Sequence, residues 1–382
     1  MGWGGVSVFL QRLGKKMNSS SLMWCSRLSP SASLLQFLPQ LEEVDVSWNE
    51  LIGGSLAALT SHLQQVSGIR TLRICSCRLN ADDVTALGGV VAALPRLSLL
   101  DVSCNPQLSQ EVDVGGFKQL ASSLSHTTNL TTLRLQACGL TADGLYALGG
   151  SLRYLPSVRE LDLSCNKQLS GGLSRLTCHL SHVTHLESLD LHLCCLSLSD
   201  LEQLSEFRPF TPLSLVVPNL RSVDVSWCKV VGGRLSLLLD SLKPSIILEL
   251  RLSSCDLITD DLHHLASASR RGFLSSLRVL DLSYNGSVGD EGWSALFSAG
   301  GLGSLEDVDV SLRPSSSARC SAWLPSLLRA LPRSAALARL ALQRWTVGLE
   351  ERRQLEFILR KRSVLLEWDQ DGGELRGTEP EE

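Results

Sequence analysis

A nine-residue frame that recurs along the chain limits the possible folds more than any other feature. In Val158–Asn166, V-R-E-L-D-L-S-C-N, apolar residues fill positions one, four and six, and a residue that can bond the backbone closes position nine. The frame starts at Leu41, Ile69, Leu97, Leu130, Val158, Leu186, Leu220, Ile247, Leu277, Leu305 and Leu337. These eleven frames predict one short structural unit each, packed on its neighbours.

The spacing of the frames predicts a helix after each strand. Successive frames start 27 to 34 residues apart, which leaves room for about three helical turns. Asn80 and Thr141 each precede an acidic first turn and are expected to cap a helix. The segment after Asn166 also predicts a helix, because its apolar residues alternate spacings of four and three: Leu169, Leu173, Leu176, Leu180 and Val183.

This combination of frame and helix is typical of leucine-rich repeats. It predicts an α/β solenoid, or horseshoe, with a parallel β-sheet on the concave face and helices on the convex face. We expect a degenerate N-terminal cap over residues 1–40 and eleven repeats over 41–345. A C-terminal cap over 346–368 should contain a helix at 349–360, and the acidic tail 369–382 should be disordered.

Position nine alternates between asparagine and cysteine through much of the chain. It reads Asn49, Cys77, Asn105, Cys138, Asn166, Cys194, Cys228, Cys255, Asn285, Arg313 and Trp345. An inward asparagine can bridge the backbones of adjacent turns, and a small buried thiol can fill the same place. With a period near 28, this alternation resembles the ribonuclease-inhibitor class of leucine-rich repeats. The last two frames, with Arg313 and Trp345, are expected to have lost the position.

Five stretches carry a second resemblance: F-L-Q-R-L-G-K-K (9–16), W-N-E-L-I-G-G (48–54), L-R-L-S-S-C-D-L-I-T-D-D (250–261), L-D-L-S-Y-N (280–285) and D-V-S-L-R-P-S (309–315). Together they resemble a family of stand-alone leucine-rich repeat-containing proteins. The resemblance implies an array with no catalytic domain and no catalytic residues to transfer. We therefore expect no enzyme activity, no cofactor and no bound metal.

Composition excludes several other classes of function. The net charge of -4 argues against binding nucleic acid through phosphates, and no apolar run reaches the roughly 18–20 residues of a membrane span. The N-terminus lacks the basic region and cleavage site of a signal peptide. The twelve cysteines fall mostly within the repeat pattern. They predict free thiols and hence a cytoplasmic, reducing compartment.

Position five should face the concave side, because side chains alternate along a strand. It reads Asp45, Arg73, Asp101, Arg134, Asp162, Asp190, Asp224, Arg251, Asp281, Asp309 and Ala341. Opposite charges can pair sideways from Asp45 to Asp162. Asp190 and Asp224 then extend a negative strip, for which we predict a basic protein partner. The alternative is a solvated, self-neutralising ladder, since surface ion pairs are usually weak.

Positions seven and eight complete the predicted surface. Position seven is mostly serine and is expected to be open, and His192 in that row has no nucleophile motif near it. Position eight supplies Trp48, Trp227 and Tyr284, which we predict to be anchors for a partner. The alternative is that these aromatic residues pack on neighbouring loops.

The sequence therefore predicts a non-catalytic protein–protein interaction scaffold. The alternative function is direct inhibition or regulation of a small basic cytosolic enzyme, as the ribonuclease-inhibitor resemblance suggests. A receptor arm of a larger switch is disfavoured, because no nucleotide-binding glycine-rich loop occurs in the sequence.

Overall fold

The computed structural model describes residues 21–23, 41–64, 66–109, 115–205 and 213–369. The chain divides into two compact units. The first comprises Met1–Cys228 with Asp240–Leu242, and the second comprises Lys229–Leu239 with Lys243–Glu382. Apart from the strand at 21–23, the cap predicted over residues 1–40 lies outside the described residues, as does the tail from residue 370.

The first unit contains one parallel β-sheet whose strands follow chain order. Each of strands β2 to β8 covers positions three to five of its frame, and like positions align across neighbours, as Leu161 does with Leu133 and Leu189. Strand β1 pairs in parallel with β2. The strands are β1 Ser21–Met23, β2 Glu43–Asp45, β3 Thr71–Arg73, β4 Leu99–Asp101, β5 Thr132–Arg134, β6 Glu160–Asp162, β7 Ser188–Asp190 and β8 Ser222–Asp224.

Helices follow the strands of the first unit. They are α1 Leu56–Leu63, α2 Ala81–Ala93, α3 Gly115–Leu124, α4 Ala142–Leu152, α5 Ser174–Thr177, α6 Leu198–Ser205 and α7 Leu213–Val216. The predicted caps are confirmed: the side chain of Asn80 accepts the N–H of Asp83, and that of Thr141 accepts the N–H of Gly144. No helix in the described ranges is both long and apolar enough to cross a bilayer.

The prediction of a regular helix after Asn166 is wrong. The segment instead combines 3₁₀ turns at Lys167–Leu169 and Leu180–His182 with the single α-helical turn α5. All five apolar residues of the pattern are nevertheless buried. Spacings of four and three are satisfied equally by mixed α and 3₁₀ turns, so the periodicity predicted the buried face but not the hydrogen bonding.

The second unit repeats the arrangement. Its main sheet pairs β9, β10, β11, β13 and β15 in parallel, and β12 pairs separately with β14. The strands are β9 Glu249–Arg251, β10 Val279–Asp281, β11 Asp307–Asp309, β12 Ala318–Arg319, β13 Arg339–Ala341, β14 Trp345–Thr346 and β15 Leu365–Glu367. The helices are α8 Leu235–Ser241, at the division between the units, α9 Thr259–Arg270, α10 Asp290–Ser298, α11 Leu324–Ala330 and α12 Leu349–Arg360.

Both units have an aliphatic core between the strands and the helices. Positions one, four and six of the frames are buried throughout, as Val158, Leu161 and Leu163 illustrate. In the second unit, aromatic residues join this core. The rings of Trp323 and Trp345 meet edge to face, with centroids 4.9 Å apart. Burial of one apolar ladder per unit is the main source of stability in such an array.

Position nine links adjacent repeats in the predicted manner. Nδ2 of Asn166 donates to the carbonyl of Leu135 at 2.8 Å, and its Oδ1 accepts the N–H of Cys138 at 2.9 Å. Sγ of Cys194 donates to the carbonyl of Leu163 at 3.1 Å. In each case the acceptor carbonyl belongs to position six of the preceding frame. Asparagine and cysteine therefore both donate a hydrogen bond to the position-six carbonyl of the preceding frame.

The expectation that the last frame has lost this position is wrong. Trp345 is buried, and its indole Nε1 donates to the carbonyl of Val310 at 2.8 Å. Val310 is position six of the preceding frame, so the tryptophan makes the same link as the cysteines. Arg313 does leave the core, because its guanidinium reaches outward to the hydroxyl of Ser254 at 2.9 Å. Each unit is an α/β leucine-rich repeat solenoid.

Candidate functional site

The row at position five lies on the sheet surface opposite the helices. Asp162 aligns with Arg134 on one side and Asp190 on the other, and Asp190 aligns with Asp224. We call Asp162, Asp190 and Asp224 the acidic strip. Neighbouring strands are about 4.8 Å apart, so the three carboxylates are close neighbours. All three residues are only partly exposed.

A local hydrogen bond fixes each carboxylate of the acidic strip. Asp162 Oδ1 accepts both the N–H and the hydroxyl of Ser164, at 2.9 and 2.6 Å. Asp190 accepts the N–H of His192 at 2.8 Å, and Asp224 accepts the N–H of Ser226 at 2.8 Å. These Asx-type turns close the strand ends and hold the carboxylates in one orientation.

The arginines of the row at position five pair mainly with acidic residues that occupy position three. Arg134 Nε donates to Glu160 Oε1 at 2.8 Å, whereas its Nη1 is 4.0 Å from Asp101 Oδ2. The hydrogen bond to Glu160 raises the pKa of Arg134. Arg73 likewise pairs with Glu43. Of the sideways pairs predicted within row five, the contact between Arg134 and Asp101 is thus a long one.

The second unit neutralises its own acids differently. Arg339 binds Asp307 at 2.7 Å, Asp309 at 3.1 Å and Glu367 at 2.8 Å. The hydrogen bond from Arg339 lowers the pKa of Glu367. This cluster gives the acids of β11 and β15 a shared cation.

The prediction that the serines at position seven form an open row is wrong. Six of its serines are buried: Ser103, Ser164, Ser226, Ser253, Ser283 and Ser311. They make internal hydrogen bonds, such as the 2.8 Å bond between the hydroxyls of Ser283 and Ser253. Strict alternation of faces stops where the strand ends, so position seven turns inward instead of continuing the exposed row.

Position eight adopts the left-handed backbone conformation. Trp48, Trp227 and Tyr284 have φ values of 61°, 63° and 62°. For a bulky side chain this conformation costs about 1 kcal/mol or more. Trp48 is 79% exposed and Trp227 41% exposed, while Tyr284 is partly exposed.

The structure brings together only part of the predicted site. The acidic strip and Trp227 belong to three consecutive frames of the first unit, and Trp227 follows Asp224 by three residues. Trp48 belongs to the same unit but lies six frames earlier. Tyr284 belongs to the second unit. The sequence could have revealed one further feature, because every position-eight residue between Trp48 and Trp227 is uncharged: Ser76, Cys104, Ala137, Cys165 and Leu193.

Cysteines form no disulfides within the described ranges, where eleven are free thiols. Burial and the hydrogen bond to Asp101 raise the pKa of Cys75 to about 12. The helix-side histidines His179 and His182 stack with ring centroids 6.2 Å apart. Burial lowers the pKa of His179. The same ranges contain no group of three or more histidine, cysteine and acidic side chains arranged to hold a metal ion.

Comparison with known proteins identifies the repeat class. A model of the leucine-rich repeat matches residues 126–149 and 273–297. Ribonuclease inhibitor from pig (Sus scrofa) is 32% identical over 259 residues, which are 66% of this chain and 53% of the inhibitor. The mouse (Mus musculus) inhibitor is 28% identical, over 67% of this chain and 54% of its own. This chain therefore spans about half the length of both inhibitors.

A human (Homo sapiens) relative, NACHT, LRR and PYD domains-containing protein 12, is 34% identical over 45% of this chain and 16% of its own. Among solved structures, LegL7 from Legionella pneumophila covers 81% of this chain and 97% of its own, with 17% identity and a TM-score of 0.48. The yeast complex of Rad7 and Elc1 covers 91% of this chain and 85% of its own, with 13% identity and a TM-score of 0.46.

The family model and the two inhibitors support a leucine-rich repeat protein of the ribonuclease-inhibitor-like class. Proteins with such repeats generally mediate protein–protein interactions, and most are non-catalytic.

Proposed function

We propose that the chain is a non-catalytic scaffold that binds a basic protein partner through the acidic strip and Trp227. The observation that carries this proposal is the alignment of Asp162, Asp190 and Asp224 on adjacent strands, each held by a turn. Fixed carboxylates lose little freedom on binding. They can therefore steer a positively charged surface toward one orientation.

The alternative, a solvated, self-neutralising ladder, accounts for less of the pattern. Arg73, Arg134 and Arg251 also occupy position five, so the fold accepts a cation there. Placing three aspartates in succession is therefore not required by the backbone. Neighbouring carboxylates about 4.8 Å apart repel by about 1 kcal/mol in water. A basic partner would relieve this repulsion.

Trp227 strengthens the proposal on different grounds. The left-handed conformation disfavours a bulky residue, and this side chain is 41% exposed. Exposed tryptophans beside charged groups are frequent anchors in protein interfaces. We therefore assign Trp227 to the interface, and Trp48 and Tyr284 to further contacts on their own units.

Affinity purification with matched variants tests the proposal. The strip variant combines Asp162→Asn, Asp190→Asn and Asp224→Asn, which removes charge but keeps the amide oxygen that can close each turn. The control variant combines Asp82→Asn, Asp143→Asn and Glu202→Gln, which makes the same charge change on helices of the same unit.

We expect the strip variant to reduce capture of basic partners about tenfold, equivalent to about 1.4 kcal/mol of binding free energy. The control variant should capture them like the wild type. Equal capture by the two variants would refute a role for the strip.

A second candidate function is direct inhibition of a small basic enzyme. The observation that favours it is the 32% identity to pig ribonuclease inhibitor, a protein named for inhibiting a ribonuclease. The test is an activity assay of a small basic ribonuclease at equimolar chain. Inhibition that the strip variant loses supports this candidate, whereas full activity of the ribonuclease rules it out for that enzyme class.

We also propose kinship with leucine-rich repeat-containing protein 31, which the five quoted stretches resemble, and residence in the reducing cytoplasm. Free thiols support the second proposal, because buried cysteines such as Cys138 and Cys194 serve the repeat ladder as thiols. Microscopy of the tagged chain tests the compartment, and a secreted chain would contradict it.

A further inference from the structure

One rim of the first unit carries a continuous row of uncharged side chains. The row, which we call the position-eight lane, consists of Trp48, Ser76, Cys104, Ala137, Cys165, Leu193 and Trp227. All seven residues share the left-handed conformation, with φ between 51° and 63°. Because the backbone geometry is the same in each frame, the side chains leave the rim in the same way.

The profile of the lane is a shallow trough between two large side chains. Trp48 and Trp227 are exposed, and the five residues between them are smaller and partly exposed. Six strand intervals of about 4.8 Å separate the tryptophans, a span of about 29 Å. An extended chain rises about 3.3 Å per residue, so about nine residues would fill it.

We propose that the position-eight lane binds an extended, basic segment of a protein partner, with apolar side chains on the lane and lysine or arginine toward the acidic strip. The proposal rests on the proposed function for its charge component. Alternate side chains of an extended segment point to opposite sides, so one set can meet the lane while the other remains free for charge.

The charges at position five indicate which end of the bound segment should be basic. In three consecutive frames an aspartate precedes a neutral lane residue by three positions: Asp162 and Cys165, Asp190 and Leu193, Asp224 and Trp227. In the frame before them, Arg134 precedes Ala137. The basic residues of the segment should therefore gather at the end that contacts Trp227.

Thiol footprinting tests the proposal on the unaltered chain. Cys104 and Cys165 lie in the lane and are partly exposed, whereas Cys178 is exposed beside helix α5 and serves as the internal control. The probe is a peptide of about nine residues that alternates leucine and lysine. A peptide with glutamate in place of lysine and one with serine in place of leucine are the matched probes.

At about ten times its dissociation constant, the leucine–lysine peptide should slow alkylation of Cys104 and Cys165 by N-ethylmaleimide about tenfold, because modification then requires the free form. Alkylation of Cys178 should not change. Equal protection by the glutamate peptide would overturn the basic character of the segment. Equal protection by the serine peptide would overturn its apolar contact, and no protection by any peptide would overturn the extended segment.

Ala137→Arg separates this proposal from the proposed function. It places a long cation in the middle of the trough, and Arg344 shows that position eight accepts arginine at a φ of 68°. We expect the variant to melt like the wild type and to bind the leucine–lysine peptide at least tenfold more weakly. If Ala137→Arg binds normally while the strip variant does not, the lane is refuted and the proposed function stands. If neither variant weakens binding, both proposals fail.

Discussion

At the residue scale, three buried aspartates tie successive repeats together through backbone N–H groups. They are Asp83, Asp200 and Asp261. Asp261 accepts the N–H groups of Gly233, Leu235 and Ile258 at 2.7, 3.1 and 2.9 Å. The turn around Gly233 that Asp261 holds is tight, because a Cβ on Gly232 would lie 2.2 Å from the carbonyl oxygen of Asp256. One carboxylate thus accepts backbone N–H groups from a turn of one repeat and from the residue that precedes the helix of the next.

Asp261→Ala should lower the free energy of unfolding by about 3 kcal/mol, because three N–H groups lose a charged acceptor. Asp260→Ala is the matched control, since Asp260 is adjacent and exposed. Urea denaturation measures both. Equal stability of the two variants would contradict the role assigned to Asp261.

Cys75 should react slowly despite partial exposure. Burial raises its pKa to about 12, so almost all of the thiol stays protonated at pH 8. The alkylation rate of Cys75 should rise steadily as pH increases toward 12, because the thiolate is the reactive form. Mass spectrometry of chain treated with N-ethylmaleimide at pH 8 should find Cys178 modified before Cys75. Equal rates at the two thiols would refute this environment for Cys75.

At the element scale, the sequence predicted the strands well and one helical segment badly. The eleven predicted frames each contain a strand at positions three to five, and helix α12 has the predicted bounds. Apolar spacing determines these elements because each buries one face. The segment after Asn166 fails because spacing cannot distinguish α from 3₁₀ turns. Helix α4 packs closely against this segment, because a Cβ on Gly149 would lie 2.6 Å from the carbonyl oxygen of Arg175.

Rows beyond the strand were harder to predict than rows within it. Most residues at position five are partly exposed, as alternation predicts, although Asp101 and Ala341 are buried. At position seven, Ser164 and Ser283 are buried. The backbone reverses at position eight, where φ is positive, and the two-residue period no longer holds there. The sequence contains no simple signal for this conformation, since tryptophan, cysteine and alanine all occupy position eight.

Leu163→Ala tests the register of the frame. Leu163 is fully buried at position six, and deleting its side chain should cost about 2–5 kcal/mol. Leu215→Ala in α7 is the control, because Leu215 is 72% exposed and should lose less than about 0.5 kcal/mol. Thermal or urea unfolding of both variants provides the measurement. A neutral Leu163→Ala would show that the frame has been assigned to the wrong face.

At the scale of the whole molecule, the repeat class follows from the sequence and the partner does not. The apolar frame repeats so regularly that fold and core are determined many times over. The recognition that we propose depends instead on a few surface residues, such as Asp190 and Trp227. A net charge of -4 over 382 residues is also too small to indicate a partner by itself. We therefore propose the charge of the partner from the local arrangement of aspartates.

Electrostatic recognition by the acidic strip is tested by the affinity of a captured basic partner for the wild-type chain and for the strip variant, measured by calorimetry at two salt concentrations. We predict at least tenfold weaker binding by the variant at about 0.1 M salt, with little change in melting temperature. The difference should shrink near 1 M salt, where the Debye length is about 3 Å. Equal affinities at low salt, or a difference that salt does not reduce, would contradict electrostatic recognition by Asp162, Asp190 and Asp224.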